Sequence, residues 1–259
     1  VLLSVVALTA NAQQINGDFD SEWEKCVPWD SKGNTVEKGV QPQGWHMANV
    51  VMAGEVGEEV TRSAEGEPAN YAVKIKNIYN SLAKQNIPGY FTLGTPWATA
   101  ETKGTAVQNS DGGVFGGKQF SFHPDAISFD YQRDNANGAD EQATVVAYLW
   151  NGTWTQKDVP GNTAVGIFSW GKATCVDMVN RDRNVATLVA SLEHPITEST
   201  NGEWKTDTIS FVYQKGCEEA GVENINVIFS ATNYFGAPGD IKPGNSLTVD
   251  NVKLVYYHA

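Results

Sequence analysis

The chain has 259 residues, 41% hydrophobic and 10% aromatic with 8 Trp and only 19% charged, enough to build a sizeable core. Its net charge of −12 argues against nucleic acid and anionic membrane as partners, because phosphates must be neutralised by Lys and Arg, and it argues equally against strongly acidic polysaccharides. The three cysteines, Cys26, Cys175 and Cys217, are odd in number and widely spaced, so they form neither a disulfide framework nor a C-x-x-C pair. They read as small buried hydrophobes, with a single bridge left open.

Val1 to Thr9 is a short apolar run followed by Ala10-Asn11-Ala12, small residues where a signal peptidase reads, and then by polar Gln13-Gln14. The run is too short to span a bilayer and reads as what is left of a signal peptide. Residues 1–12 are therefore expected to be removed, leaving 13–259 as one exported domain with no segment inserted in a membrane. Period-2 alternation then predicts strands with one buried face at Tyr71-Val73-Ile75, Ile127-Phe129-Tyr131, Ile209-Phe211-Tyr213 and Ile225-Val227-Phe229-Ala231. Thr144 to Trp150 and Leu247 to Tyr257 are richer in apolar residues, as central or two-sided strands are.

Turns are expected at Asp111-Gly112-Gly113, Asn137-Gly138, Pro160-Gly161-Asn162, Asn201-Gly202 and Pro238-Gly239-Asp240. Asn151-Gly152, between two β-rich runs, predicts a two-residue hairpin that sets Trp150 opposite Thr153 and Leu149 opposite Trp154. Tyr148 and Trp150 then share a face with Thr153 and Thr155, and Ala147, Leu149 and Trp154 share the other. Val185, Leu188, Val189 and Leu192 recur at helical spacing before Pro195 and read as one short helix, or alternatively as an edge strand. Many strands without strand–helix alternation give an all-β, antiparallel β-sandwich with long loops.

Several segments resemble a known family. Asn16-Gly17-Asp18-Phe19-Asp20 with Trp23 is similar to the N-G-x-F-E opening of jelly-roll carbohydrate-binding modules. Pro42-Gln43-Gly44-Trp45 with Asn49, and the closing Ser246 to Leu254, follow the same pattern. Gly89 to Gly94, Phe120-Ser121-Phe122-His123-Pro124, Ile127 to Tyr131 and Ser230 to Asp250 resemble the "putative carbohydrate metabolism domain" of gut Bacteroidetes envelope proteins. The resemblance implies a galactose-binding-like jelly roll and a glycan role in the periplasm, on the surface or outside a Gram-negative cell. Other envelope glycan-utilisation proteins become candidate partners. It also implies a structural calcium between the opening and closing segments, for which Asp18, Asp20 and Asp250 could supply carboxylates. Asp20 stands where the opening usually has Glu, and Asn251 replaces the second Asp of the closing strand.

A site for oligo- or polysaccharide needs exposed aromatic faces beside hydrogen-bonding side chains. If Leu149 enters the core, Tyr148 and Trp150 face outward and become candidates. Trp97 follows Gly94-Thr95-Pro96 in an expected loop, and Tyr234 and Phe235 lie on a turn-rich connection. Asn233, Arg133 and Asp134 could bond hydroxyls, while Trp45 and Trp204 are assigned to the core. Hydrolysis is the alternative reading, and an adhesion module that binds protein is a third. The carboxylates Glu193, Glu198, Glu203 and Asp130 show no pairing in their spacing, so no catalytic residue is assigned. The four His are dispersed without a zinc or triad motif, and Gly112-Gly113 and Gly116-Gly117 do not follow a phosphate-loop pattern.

Overall fold

The computed structural model describes residues 13–20, 23–25, 40–48, 57–61, 70–81, 84–103, 106–152, 186–236 and 238–257. In the first half the strands are β1 (Trp23–Lys25), β2 (Val40–Pro42), β3 (His46–Met47), β4 (Gly57–Thr61), β5 (Tyr71–Lys76), β6 (Ile78–Asn80), β7 (Gln85–Ile87), β8 (Tyr90–Thr92), β9 (Thr95–Lys103) and β10 (Ala106–Phe115). They continue with β11 (Lys118–Gln119), β12 (Ala126–Asp134), β13 (Ala143–Gly152), β14 (Ala186–Ile196), β15 (Lys205–Ser210), β16 (Val212–Tyr213), β17 (Asn224–Ser230) and β18 (Ser246–Val255). A 3₁₀ turn at Pro238–Asp240 is the one helical element among the described residues.

Two antiparallel sheets carry the architecture. One runs β15-β12-β18-β5-β4, and the other runs β16-β14-β13-β17-β8-β3, with β11 also pairing β17. Along β5, β8, β12, β13, β14, β15, β17 and β18 the chain changes sheet at every step except from β13 to β14. That alternation is the winding of a jelly roll. The inward residues are those the alternation marks: Val73 and Ile75, Ile127 and Phe129, Ile225, Val227 and Phe229, and Leu247 and Val249, all fully buried. Phe229 stacks on Phe91 with centroids 5.1 Å apart and meets Phe129 edge-on at 5.2 Å. Trp45 joins this core, whereas Trp204 is only partly buried.

Three local expectations are corrected. Val185 lies outside the described residues, but Leu188, Val189 and Leu192 belong to strand β14, not a helix, because β14 pairs with β13 along its length from Ala143↔Ile196 to Gly152↔Ala186. Pro195 sits beyond the reach of β16, which pairs only Ala190 and Ser191, and a strand tolerates proline at such an edge. Asp111-Gly112-Gly113 lies within β10, paired with Thr99, Ala98 and Trp97 of β9. Asn151-Gly152 does not turn: β13 runs through it, pairing Asn151 with Thr187 and Gly152 with Ala186. The type I′ geometry appears instead at Asn201-Gly202, with φ of 53° and 82° and a Glu203 N–H to Thr200 carbonyl bond of 3.0 Å. Pro160-Gly161-Asn162, Thr153 to Thr155, Cys26, Cys175, Asn49 and residues 1–12 lie outside the described residues. Cys217 carries a free, partly buried thiol.

The second sheet is covered on both faces. Its outer side chains Val146, Tyr148, Trp150, Leu188 and Ile228 form a second apolar cluster with Tyr90, Ala48 and Val114. Ile78 and Ile87 from the β6–β7 hairpin pack against it.

Buried phenols give the fold an alkaline limit. Burial, then the charge of Asp207, pushes Tyr131 up to about 12 from an ordinary 10.0, and burial, then Asp125, does the same for Tyr213. Above pH 10 the unfolded chain releases these protons while the folded chain keeps them, so stability is full below pH 10 and falls between pH 10 and 12. Urea denaturation across that window, followed alongside phenolate absorbance, checks this; Tyr131→Phe should flatten the slope.

Candidate functional site

The end of β13 builds a site with the segment before β17 and with β11. Backbone bonds pin Glu223 on both sides: its N–H donates to the Trp150 carbonyl at 3.0 Å, and its carbonyl accepts from the Phe120 N–H at 2.9 Å. The Gly152 N–H donates to Glu223 Oε2 at 2.8 Å, fixing the carboxylate as well. Asn224 Nδ2 donates to the Gly152 carbonyl at 3.4 Å. On β11, Gln119 pairs with Asn224 and Lys118 with Ile225.

The chain enters β11 across the indole of Trp150. A Cβ on Gly117 would stand 2.6 Å from Trp150 Cη2 and 2.3 Å from the Ile225 carbonyl oxygen, so only glycine lets the backbone pass there. Around this corner opens a cleft of about 560 Å³, lined among others by Gly117, Gln119, Ser121, Trp150, Glu223 and Asn224. Its volume falls within the roughly 300–1,000 Å³ of small-ligand sites. The Gln119 amide, the Ser121 hydroxyl, Glu223 Oε1 and Asn224 Oδ1 bond to no other described group and can meet a ligand. Glu223 is the one charged residue among the described residues of the lining.

One solved structure shares this architecture, and two others are more distantly similar. A crystal structure described as a "putative glycoside hydrolase" from Bacteroides vulgatus matches with a TM-score of 0.50 at 11% identity, over 94% of this chain and 98% of that one. A second so described, from Bacteroides thetaiotaomicron, has a TM-score of 0.46 at 11% identity over 92% and 73%. A family 29 carbohydrate-binding module has 0.29 at 12% identity over 90% and 91%. At such identity the first likeness shows the architecture alone, and the other two are too distant to carry an argument. No protein-family model and no curated protein matches the chain.

The residues singled out in the sequence are scattered over this frame. Leu149 does enter the core, but the opposite face is not open: Tyr148 and Trp150 are each only 2% exposed, and Trp150 reaches the cleft only as part of its wall. Trp97 stands in β9 opposite Gly113, not in a loop. Tyr234 is partly buried, its hydroxyl accepting from the Val114 N–H at 3.0 Å, and its ring meets Phe235 edge-on. Phe235 is 40% exposed, on a turn where Asn233 Oδ1 accepts its N–H. Neither ring lines the cleft.

Arg133 is a structural residue. Only 1% exposed, it ion-pairs with Glu141 at 3.6 Å and donates to the Ser246 and Glu141 carbonyls. Burial lowers its pKa, opposed by Glu141 and Asp134. Exposed Asp134 accepts the Ala136 N–H.

The opening and closing segments do meet, through a 2.8 Å bond from the Val252 N–H to the Gly17 carbonyl. Their carboxylates are engaged locally, however: Asp18 accepts from Asp20 N, Asp20 from Tyr71 N, and Asp250 from Asn251 N. Among the described residues no three His, Cys, Asp or Glu side chains gather to hold a metal.

Sequence reasoning passed over Gln119, Glu223 and Asn224, which carry no motif. Gly116-Gly117, set aside for lacking a phosphate-loop pattern, was the available signal of a close backbone approach.

Proposed function

We propose that this protein binds neutral oligo- or polysaccharide, without cutting it, in the cleft beside Trp150. The observation that carries the reading is the set of unspent amide, hydroxyl and carboxylate groups of Gln119, Ser121, Glu223 and Asn224 on a pinned backbone. Four such hydrogen bonds contribute roughly 2–6 kcal/mol. Millimolar to micromolar binding takes about 4–8 kcal/mol. The hydrolase reading is disfavoured because glycosidases use two carboxyl groups about 5–9.5 Å apart. Among the described residues the cleft lining contains Glu223 as its single carboxylate, while Glu193, Glu198 and Glu203 are exposed elsewhere and Asp130 is bonded to Thr206 and Asn251. Export to the cell envelope, next to other glycan-utilisation proteins, goes with this reading through the signal-like residues 1–12.

A glycan array on the chain from Gln13 onward, followed by calorimetry on its hits, tests the proposal. Gln119→Ala and Asn224→Ala should each weaken a hit about three- to tenfold, as loss of one hydrogen bond does. Hits that neither variant weakens, or an array without hits, would remove the cleft as the glycan site.

A further inference from the structure

We infer that Glu223 is the specificity determinant of the cleft, admitting uncharged sugars and rejecting those that carry a carboxylate, sulfate or phosphate. This rests on the glycan reading above and adds to it the residue that sets the charge of the ligand. Three observations carry it. The exposed carboxylate is held in place by Gly152 N–H on Oε2, and two backbone bonds hold the residue itself. Oε1 keeps its acceptor capacity and can take a hydroxyl, whereas an anionic group brought to the same place finds a like charge.

The third observation concerns the cation that adjoins the cleft in sequence. Lys118 lies between the cleft residues Gly117 and Gln119, yet strand alternation turns it to the other face. Its partner across the ladder is Ile225, whose side chain faces the sandwich core, and its Nζ lies against Gly44. Among the described residues that line the cleft there is no Lys, Arg or His, so an entering anion meets no counter-charge from them. A protein with a net charge of −12 adds nothing to offset this. Discrimination against an unpaired or repelled charge is the usual means by which a site rejects a close analogue.

The experiment pairs neutral oligosaccharides on an array with uronate-bearing and sulfated oligosaccharides of matched length, read with the wild type, Glu223→Gln and Gln119→Lys. The wild type should prefer the neutral member of a pair at least about tenfold, the effect of one like-charge contact at a partly wet site. Glu223→Gln should shrink that ratio severalfold, and Gln119→Lys should shrink or invert it. Equal wild-type binding to both members, or a ratio unmoved by Glu223→Gln, would overturn the inference and leave neutral binding in place. An array with no hits, or hits insensitive to Gln119→Ala and Asn224→Ala, would instead remove the underlying glycan reading, and this inference with it.

Discussion

Trp150→Ala is expected to destabilise the fold by about 3–5 kcal/mol, the cost of truncating a buried aromatic to alanine. The indole is 2% exposed and belongs to the outer apolar cluster with Tyr148, Leu188 and Tyr90. Its Cη2 atom also lies so close to Gly117 that the β11 corner is laid over it. Removing the ring opens a cavity between two backbone segments that are tied to β13 and β17 and cannot close freely. Urea denaturation of the variant measures this directly. A loss under about 1 kcal/mol would mean that the ring is solvated and the outer layer does not form. Glycan binding by the variant is informative only below its shifted melting temperature, which is why Gln119 and Asn224 are the better probes of the cleft.

The second large effect is expected at the buried ion pair. Glu141 accepts from Asn77 Nδ2 at 3.0 Å, from the Lys242 N–H at 2.9 Å and from Asn245 Nδ2 at 2.6 Å, and it pairs with Arg133. This network fastens the start of β13 to the end of β12, to Asn77 after β5 and to the connection before β18. Glu141→Gln keeps the shape but leaves the guanidinium buried without a counter-charge, and is expected to cost about 3–5 kcal/mol. The double variant Arg133→Met with Glu141→Gln should lose less than Glu141→Gln alone, because the uncompensated charge is then gone. Additive losses would show that the network acts through shape and hydrogen bonding, not charge.

The strands were readable because each carries its own period. Ile127-Phe129-Tyr131 and Ile225-Val227-Phe229 show which side chains share a face, and their inner faces are buried as that pattern requires. Gly17 in the opening motif was also informative: a Cβ there would lie 2.0 Å from the Val252 carbonyl oxygen, so opening and closing segments meet where only glycine fits. The helical spacing around Leu188 misled because long-range pairing with β13 outweighs local periodicity. Asn-Gly misled at 151–152 and held at 201–202 for a related reason. The dipeptide permits a tight turn, but whether one forms depends on which strand is available to pair.

The site was less legible still. Thr144 to Trp150 is apolar on both faces, which already pointed to burial of Tyr148 and Trp150, yet the hope of an open aromatic face required one side to stay bare. No pattern in β13 says that the β6–β7 hairpin and Val114 of β10 will lie over it. Gln119, Glu223 and Asn224 come from two separate segments, and each looks like an ordinary solvent-facing polar residue until the β11–β17 pairing sets Gln119 beside Asn224.

By itself, then, the order of residues determined the strand content, the inward faces, the acidic charge and the need for glycine at the points of closest approach, because all of these are local properties of a polypeptide. Only the tertiary structure decided which faces are covered, that Arg133 is spent on Glu141, and that a cleft whose described lining carries a single carboxylate opens beside Trp150. Those depend on contacts between segments far apart along the chain, whose meeting no local period encodes.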